Sequence, residues 1–411
     1  MSKILTVDRR ASAPLVHVLP TSPVFLPEAS PMRRLPRRPE RSRPPEFFAA
    51  FEDRALFYDC FRAGSSDIVL VGPPPLNLTP LLRSARFRAL PSGEIVEASW
   101  FPSRSTMTTL LRSVVPGTEA VEIRFEGFAQ TIPVQPQSDL FRNRRVMFTM
   151  NKDNELEWIN AWANWHCRMH GVDAIVIFDN GSTRYRLEDI AAALAGIEGL
   201  EAVGLISWPF RYGPVDPAVL SRPYWPNFLQ VASFTVMLRR FAAGSAGILN
   251  CDIDELVGRA GDEDVFSLLA DSRDGYVRLK GTWIEAVESG ELAAATPSPA
   301  HFRFEHRVKN PLLARCADKW ALDPQQAWLQ DLGIFPMMHR IYGMPRAQAL
   351  LAPTSPFWHF RGINTNWKEE RVKRELPPAD PRRHTRDSGW LEARRLFSKG
   401  GTPTSVGGET L

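Results

Sequence analysis

The sequence predicts an α/β protein: a mostly parallel, Rossmann-like sheet with helices on both faces, preceded by a small β-rich domain. Three observations predict it. From about residue 144, apolar runs with strand character alternate with stretches of helical period, which implies a parallel sheet covered on both faces. Between residues 51 and 136, short apolar runs are separated by Pro, Gly and Ser, as in a sheet-rich unit. At 246–250 a buried hydrophobic run ends at two carboxylates one residue apart, Asp252 and Asp254, at a strand end where open sheets bind ligands. The expected division is a Pro/Arg-rich disordered arm over 1–50, the β-rich domain over 51–142, the α/β domain over 143–376, and a charged, then flexible tail over 377–411.

The chain has 411 residues and 44% apolar content, enough for two or three domains with a substantial core. Its net charge of +4 is small, and much of the positive excess lies in the first fifty residues. The body is therefore nearly neutral, which argues against nucleic-acid binding. Cys60, Cys167, Cys251 and Cys316 lie far apart with no metal or redox spacing, so buried free thiols in a reducing compartment are expected. With no apolar run of membrane-spanning length and no convincing signal peptide, a cytoplasmic protein is the simplest inference.

The elements follow in order. Prolines among the arginines of residues 1–50 forbid a helix or ladder there. That arm reads as a solvated tail or as a cationic segment adhering peripherally to the inner face of an anionic membrane. Runs at 67–72, 94–98, 120–125 and 129–133 read as half-buried strands, a unit that either binds an acceptor or partner or serves packing alone. Residues 146–150 form the first strand of the α/β part, and Asn154 with Glu157 resembles a capping box opening a helix that stops at Gly171. Strand 174–178, helix 186–197, strand 200–207, helix 226–243 and strand 247–250 complete the alternation and deliver the Asp pair. Asn151, Asp179 and Asp252 all stand at carboxyl ends of strands, so one crevice collects them.

The Asp pair suits Mg2+ or Mn2+, hard cations that take one or two protein carboxylates and fill the rest of their shell with water and phosphate. Such an ion neutralises a nucleoside diphosphate, the leaving group when a sugar is transferred from a nucleotide-sugar. The same pair is equally at home in a turn or a helix cap.

Four segments in order, 154–159, 170–173, 178–182 and 252–256, are followed by Lys319, His339, 358–361 and Trp367-Lys368. Together they resemble the glycosyltransferase family 92 and family-2-like proteins once grouped as a domain of unknown function, over about residues 144–374. The resemblance implies a GT-A fold, a nucleotide-sugar donor with UDP favoured, a divalent metal, and transfer with inversion to a glycan, lipid-linked or protein acceptor. It assigns Asn151, Glu155, Asp179 and Asn180 to the donor, Asp252 and Asp254 to the metal and diphosphate, His359 to the metal or diphosphate, and Lys319 to phosphate charge. His339 matches a recurrent histidine without an assigned role. Cys251, Leu256 and Thr183-Arg184 depart from the family pattern, and Arg184 would bear on donor preference.

Inversion needs a general base, for which Glu285 and Asp318 are the candidates, each also readable as a solvated surface carboxylate. Glu255 reads as structural, holding the turn or supporting the ligands. The aromatic loop 208–225, with Phe210, Tyr212 and Tyr224, either lines an acceptor groove or packs under the sheet. Two other functions fit the same fold: a catalytically silent glycan-binding module, and a nucleotidyltransferase, which would want a Gly-rich phosphate loop absent here.

Overall fold

The fold is that of a computed structural model, described over residues 3–5, 14–214, 227–288, 299–365 and 376–399. Its main sheet has ten strands: β1 (Lys3–Leu5), β2 (Leu15–Val18), β3 (Arg145–Asn151), β4 (Ala174–Asp179), β5 (Ala202–Ser207), β6 (Gly247–Asn250), β7 (Glu255–Val257), β8 (Tyr276–Ile284), β9 (Lys319–Leu322) and β10 (Thr354–Phe360). Their spatial order is β1-β2-β5-β4-β3-β6-β9-β8-β10-β7. Strands β2, β5, β4, β3 and β6 run parallel, as the βαβ alternation dictates. Beyond β6 the sheet is mixed: β9 is antiparallel to both β6 and β8, β10 is parallel to β8, and β7 is antiparallel to β10. The expectation of a mostly parallel sheet therefore describes its first half.

Side chains of successive strand residues point to opposite faces. Met147, Ile175, Ile177, Val203, Leu205 and Leu249 enter one core, beneath helices α1 (Leu156–His170), α2 (Leu187–Leu194), α4 (Val265–Asp271) and α5 (Ser388–Ser398). Phe148, Val176, Phe178, Ile206 and Ile248 enter the other, beneath α3 (Phe228–Val236). The 3.6-residue period of α1 explains its seat: Ile159, Trp162, Trp165 and Met169 are fully buried, and Gly171 ends the helix in the left-handed conformation. The capping box does not form. The cap is Glu155, without a side-chain bond, and Asn154 donates instead to Asn151 Oδ1 at 3.0 Å, because the strand end draws it in. Helix 226–243 is cut to α3 plus a π-helical turn, Met237–Phe241, that aims Arg239 and Arg240 sideways.

Residues 59–133 build two four-stranded antiparallel sheets around a core of their own. One of these sheets, through Phe61, Val69, Val71 and Leu110, also packs into the α3 face of the main sheet. The buried Asp59–Arg240 ion pair, at 2.7 Å, joins the two units.

The expected disordered arm is folded from residue 14, and the charged part of the tail carries a helix. Within the arm, β2 lies parallel to β5 in the main sheet, and Arg34 is buried, donating to the carbonyls of Pro74, Glu52 and Ala55. Arg43 likewise donates to Arg38 O and Arg41 O. Proline excludes helices and central strands but not extended edge chain, and carbonyls can satisfy buried guanidinium groups. Residues 6–13, with Arg9 and Arg10, lie outside the described residues. At the other end α5 buries Trp390, Ala393 and Phe397 against Trp165, so residues up to 399 belong to the fold; 400–411 lie outside the described residues. No helix among the described residues is long and apolar enough to cross a membrane.

Candidate active site

Strand β6 ends at Asn250, and the chain turns at once through Ile253 and Asp254 into β7. The turn and the first residue of β7 carry three carboxylates, which share two cationic partners, Lys319 and His359. Asp252 Oδ2 accepts from Lys319 Nζ at 2.5 Å. Asp254 Oδ2 lies 3.0 Å from His359 Nε2. Glu255 reaches back under the turn: its Oε2 accepts the Asp252 backbone N–H at 2.9 Å and lies 3.2 Å from Lys319 Nζ, while its Oε1 faces His359 Nδ1 at 3.4 Å.

Registers explain this convergence. Strand β9 begins at Lys319, antiparallel to β6, so its first side chain stands beside the end of β6. Strand β10 ends near His359, opposite Glu255 of β7. Gly281 in β8 lets the 315–317 segment approach, since a Cβ there would fall 2.1 Å from Cys316 Sγ. The His359 ring lies 4.0 Å from Trp283, and Arg361 lies 4.1 Å from the same indole, which fixes the imidazole between stacked planes and carboxylates.

The electrostatics follow from burial and charge. Burial pushes the Glu255 carboxyl up to about 7, against the pull of Lys319. Burial would discharge His359, but Asp254 outweighs it by charge and hydrogen bond, and Glu255 adds to it, so the imidazole is raised to about 10. Lys319 is likewise held charged, because Asp252 and Glu255 together overcome its desolvation. The turn thus concentrates negative charge that already recruits two cationic side chains.

A divalent ion fits this set. One ligand atom each from Asp254, Glu255 and His359 lies within 4.8 Å of the others. Glu255 Oε1 is buried without a hydrogen bond, an acceptor left over in the place where an ion would use it. Two carboxylates and an imidazole suit Mn2+ or Mg2+.

These residues form one wall of a cleft of about 320 Å3. The other wall comes from the ends of β3 and β4 and the start of α3: Asn151, Lys152, Asn154, Asn180 and Gln230, with Tyr212 across the mouth. Asn151 is fully buried and donates to Asp179 Oδ1 at 2.7 Å. Asp179 also accepts from the N–H and hydroxyl of Ser182, so its oxygens serve the loop that shapes the wall. Asn180 donates to the carbonyls of Trp208 and Phe210, both at 2.8 Å. Trp208 and Phe210 are buried, so this part of the aromatic loop packs; Tyr212 reaches the cleft, and Tyr224 lies outside the described residues.

Of the residues expected at the site, Asn151, Asn180, Asp252, Asp254 and His359 line the cleft, and Lys319 and Asp179 stand directly behind it. Glu155 does not reach it: its carboxylate pairs with Arg184 at 2.6 Å on the surface. Glu285 and Asp318 are not among the described lining residues, and they face Arg361 at 3.3 Å and Arg278 at 3.6 Å. His339 lines the rim, its Nδ1 3.0 Å from Asp318 O. Sequence reasoning missed Glu255 as a candidate ligand and Trp283 as the neighbour of His359. The signal for the first was the third acid directly after the Asp pair.

It also missed three buried histidines beneath the turn. His301 Nε2 bonds Ile253 O at 2.8 Å, His170 Nε2 bonds Val257 O at 2.9 Å, and His166 Nε2 accepts the Val257 N–H at 3.2 Å. The backbone on either side of the ligand set is thereby fixed from below.

No family model matches the chain, and no curated protein is similar to it at a significant level. Among solved structures, the apo structure of the bifunctional glycosyltransferase WbbM is similar to 41% of this chain, at 15% identity with a TM-score of 0.23. The match spans 26% of that chain. At such a TM-score the likeness carries no argument about fold or activity; only the geometry of the site bears on the chemistry.

Proposed function

We propose that this protein is a metal-dependent glycosyltransferase that moves a sugar from a nucleotide-sugar, with UDP favoured, to a glycan, lipid-linked or protein acceptor, with inversion at the anomeric carbon. One observation carries the reading: Asp254, Glu255 and His359 converge at the carboxyl end of β6, facing a polar wall from the ends of β3 and β4. Parallel sheets hold nucleotides across such strand ends. Bound by Asp254, Glu255 and His359, Mn2+ or Mg2+ would stabilise the negative charge that develops on a departing diphosphate.

The protein's own groups do the rest. Lys319 keeps the Asp252 carboxylate fixed and supplies a cation behind the turn. Asn154, Lys152 and Asn180 offer donors and acceptors to a nucleoside on the facing wall. Trp283 locks the His359 ring, so that the ligand set is preorganised rather than assembled on binding.

Titration with UDP and then GDP, with and without Mn2+, tests the reading. Saturable nucleotide binding that requires the metal is expected. Asp254→Asn and His359→Gln should weaken Mn2+ binding by about 100-fold, and Asp252→Asn by less than about tenfold, since Asp252 is bound to Lys319. Nucleotide binding that ignores both metal and carboxylates would sink the proposal.

A further inference from the structure

A second cavity, of about 220 Å3, opens where the arm meets the β-rich unit, and it shares no lining residue with the cleft. Strand alternation builds one wall. Along the edge strand Ala98–Pro102, Trp100 and Pro102 face the cavity, while Phe101 between them packs into the core shared with the main sheet. Met107 stands opposite Pro102 in the ladder and extends the same wall. Trp100 rests 5.9 Å from Phe87 and stays half-buried, so part of its indole is open. The arm supplies the other side. Arg34 Nε donates to Pro74 O at 2.8 Å, the Leu35 N–H to Asn77 Oδ1 at 2.7 Å, and Asn77 Nδ2 to Arg33 O at 2.9 Å, which stitches the arm to residues 74–77 and carries Arg37 to the cavity. Leu76, also in the lining, is held at φ +52°, a conformation that branched apolar residues rarely keep and that collects at ligand sites.

The lining carries two cations, Arg37 and Arg83, and no carboxylate among the described residues. Arg83, at the end of helix Thr79–Arg83, is exposed and forms no ion pair among the described residues. Two hydroxyls complete the polar set. Ser103 Oγ accepts the N–H groups of Ser105 and Thr106 at 3.2 and 2.9 Å, which uses its lone pairs and leaves its hydrogen to donate. Thr79 Oγ1 donates to Leu76 O at 2.7 Å, which leaves its lone pairs to accept. An occupant must therefore offer an apolar face to Trp100, a negative charge to the arginines, and hydroxyls to Thr79 and Ser103. A volume below the ~300–1,000 Å3 of drug-sized pockets admits one ring. The ring of an acidic sugar has all three features: a C–H face, a carboxylate that matches the guanidinium fork, and hydroxyls.

We infer that this cavity binds one hexuronate residue of an acidic saccharide, its carboxylate on Arg83 and Arg37 and its ring against Trp100. The loop that carries Ser103 also reaches the cleft: Ser105 Oγ donates to Asn227 Oδ1 at 3.3 Å, and Asn227 Nδ2 lies 3.3 Å from Sδ of cleft-lining Met338. The binding stands apart from the transfer chemistry. Its corollary, that the cavity grips an acidic acceptor glycan while the cleft acts on it, rests on the proposed glycosyl transfer.

Isothermal titration calorimetry of the full chain tests it, with tetragalacturonate and a hyaluronan tetrasaccharide as acidic probes and maltotetraose as the neutral one. At least one acidic probe should bind saturably, and maltotetraose about tenfold more weakly or not at all. Trp100→Ala and Arg83→Gln should each weaken binding of the acid about tenfold. Arg83→Lys should lose less, since the ammonium keeps the charge without the fork. An unchanged melting temperature and far-UV circular dichroism would show that the variants are folded, and Arg83, an exposed side chain, keeps the test open if Trp100→Ala does not fold. No saturable binding of either acid, equal binding of maltotetraose, or undiminished binding in a folded variant of Trp100 or in Arg83→Gln would overturn the inference. So would equally tight binding of benzoate, which would assign the cavity to a planar acid without hydroxyls. Binding of the acid that persists in a protein without nucleotide affinity would remove the transfer reading and the corollary while leaving the saccharide site in place.

Discussion

Lys319 and Glu255 are almost fully buried, and between them they set the charge of the turn over 252–255. A buried ion pair adds little by itself, but removing one partner leaves the other desolvated and alone. Lys319→Met is therefore expected to cost on the order of 3 kcal/mol in urea unfolding. Adding Glu255→Gln should recover part of that loss, because the amide no longer needs a counter-charge; equal and additive losses would show that the two do not interact. The sequence made Asp252 and Asp254 legible as a pair, but not the division of labour between them. That depends on Lys319, which is 67 residues from Asp252 and arrives through the β6–β9 register.

Helix α1 and the turn before β7 act as one element through their histidines. Both ring nitrogens of His170 are used, Nδ1 accepting from Val265 N–H at 3.2 Å and Nε2 donating to Val257 O, an arrangement only the neutral ring satisfies. Burial lowers His170 and His301 to about 4 from an ordinary value of 6.5, and lowers His166 well below it. Between those values the unfolded chain binds more protons than the folded one, so stability rises with pH there. The stabilisation is complete above about pH 6.5 and is lost as pH falls toward 4, by up to on the order of 3 kcal/mol for each of His170 and His301. Denaturant midpoints at pH 7 and pH 5 should show the drop, and His301→Gln should reduce it. An unchanged slope in that variant would remove His301 as a contributor. The helical period made the buried tryptophans of α1 readable, but His166 and His170 look like ordinary polar positions until Val257 is placed against them.

At the largest scale, the sheet is closed by chain from both ends. Strand β2 covers the edge of β5, and α5 covers Trp165. Deleting residues 1–20 is expected to lower the melting temperature by several degrees and to promote aggregation, since it bares the β5 edge. A truly free arm would be lost at no cost. The β-rich unit is keyed on through Asp59, whose carboxylate accepts from Arg240 and from the N–H groups of Ser22 and Cys60. Arg240→Ala strands that buried charge and should cost about 3–5 kcal/mol in chemical unfolding. A loss under about 1 kcal/mol would mean that the two units are held by apolar packing alone.

Local matters are written in the chain: the βαβ alternation, the positions of β3, β4, β5 and β6 to within two residues, the burial of α1, and the acids at the end of β6. They are legible because periodicity and burial are properties of neighbouring residues. The assembled fold alone settles which acids face His359, that Glu155 turns away to Arg184, and that the Arg-rich arm from residue 14 and the charged segment up to residue 399 fold. Each of those depends on register and crossover between segments far apart in the chain, where composition reports only that a residue is charged or apolar and not what stands opposite it.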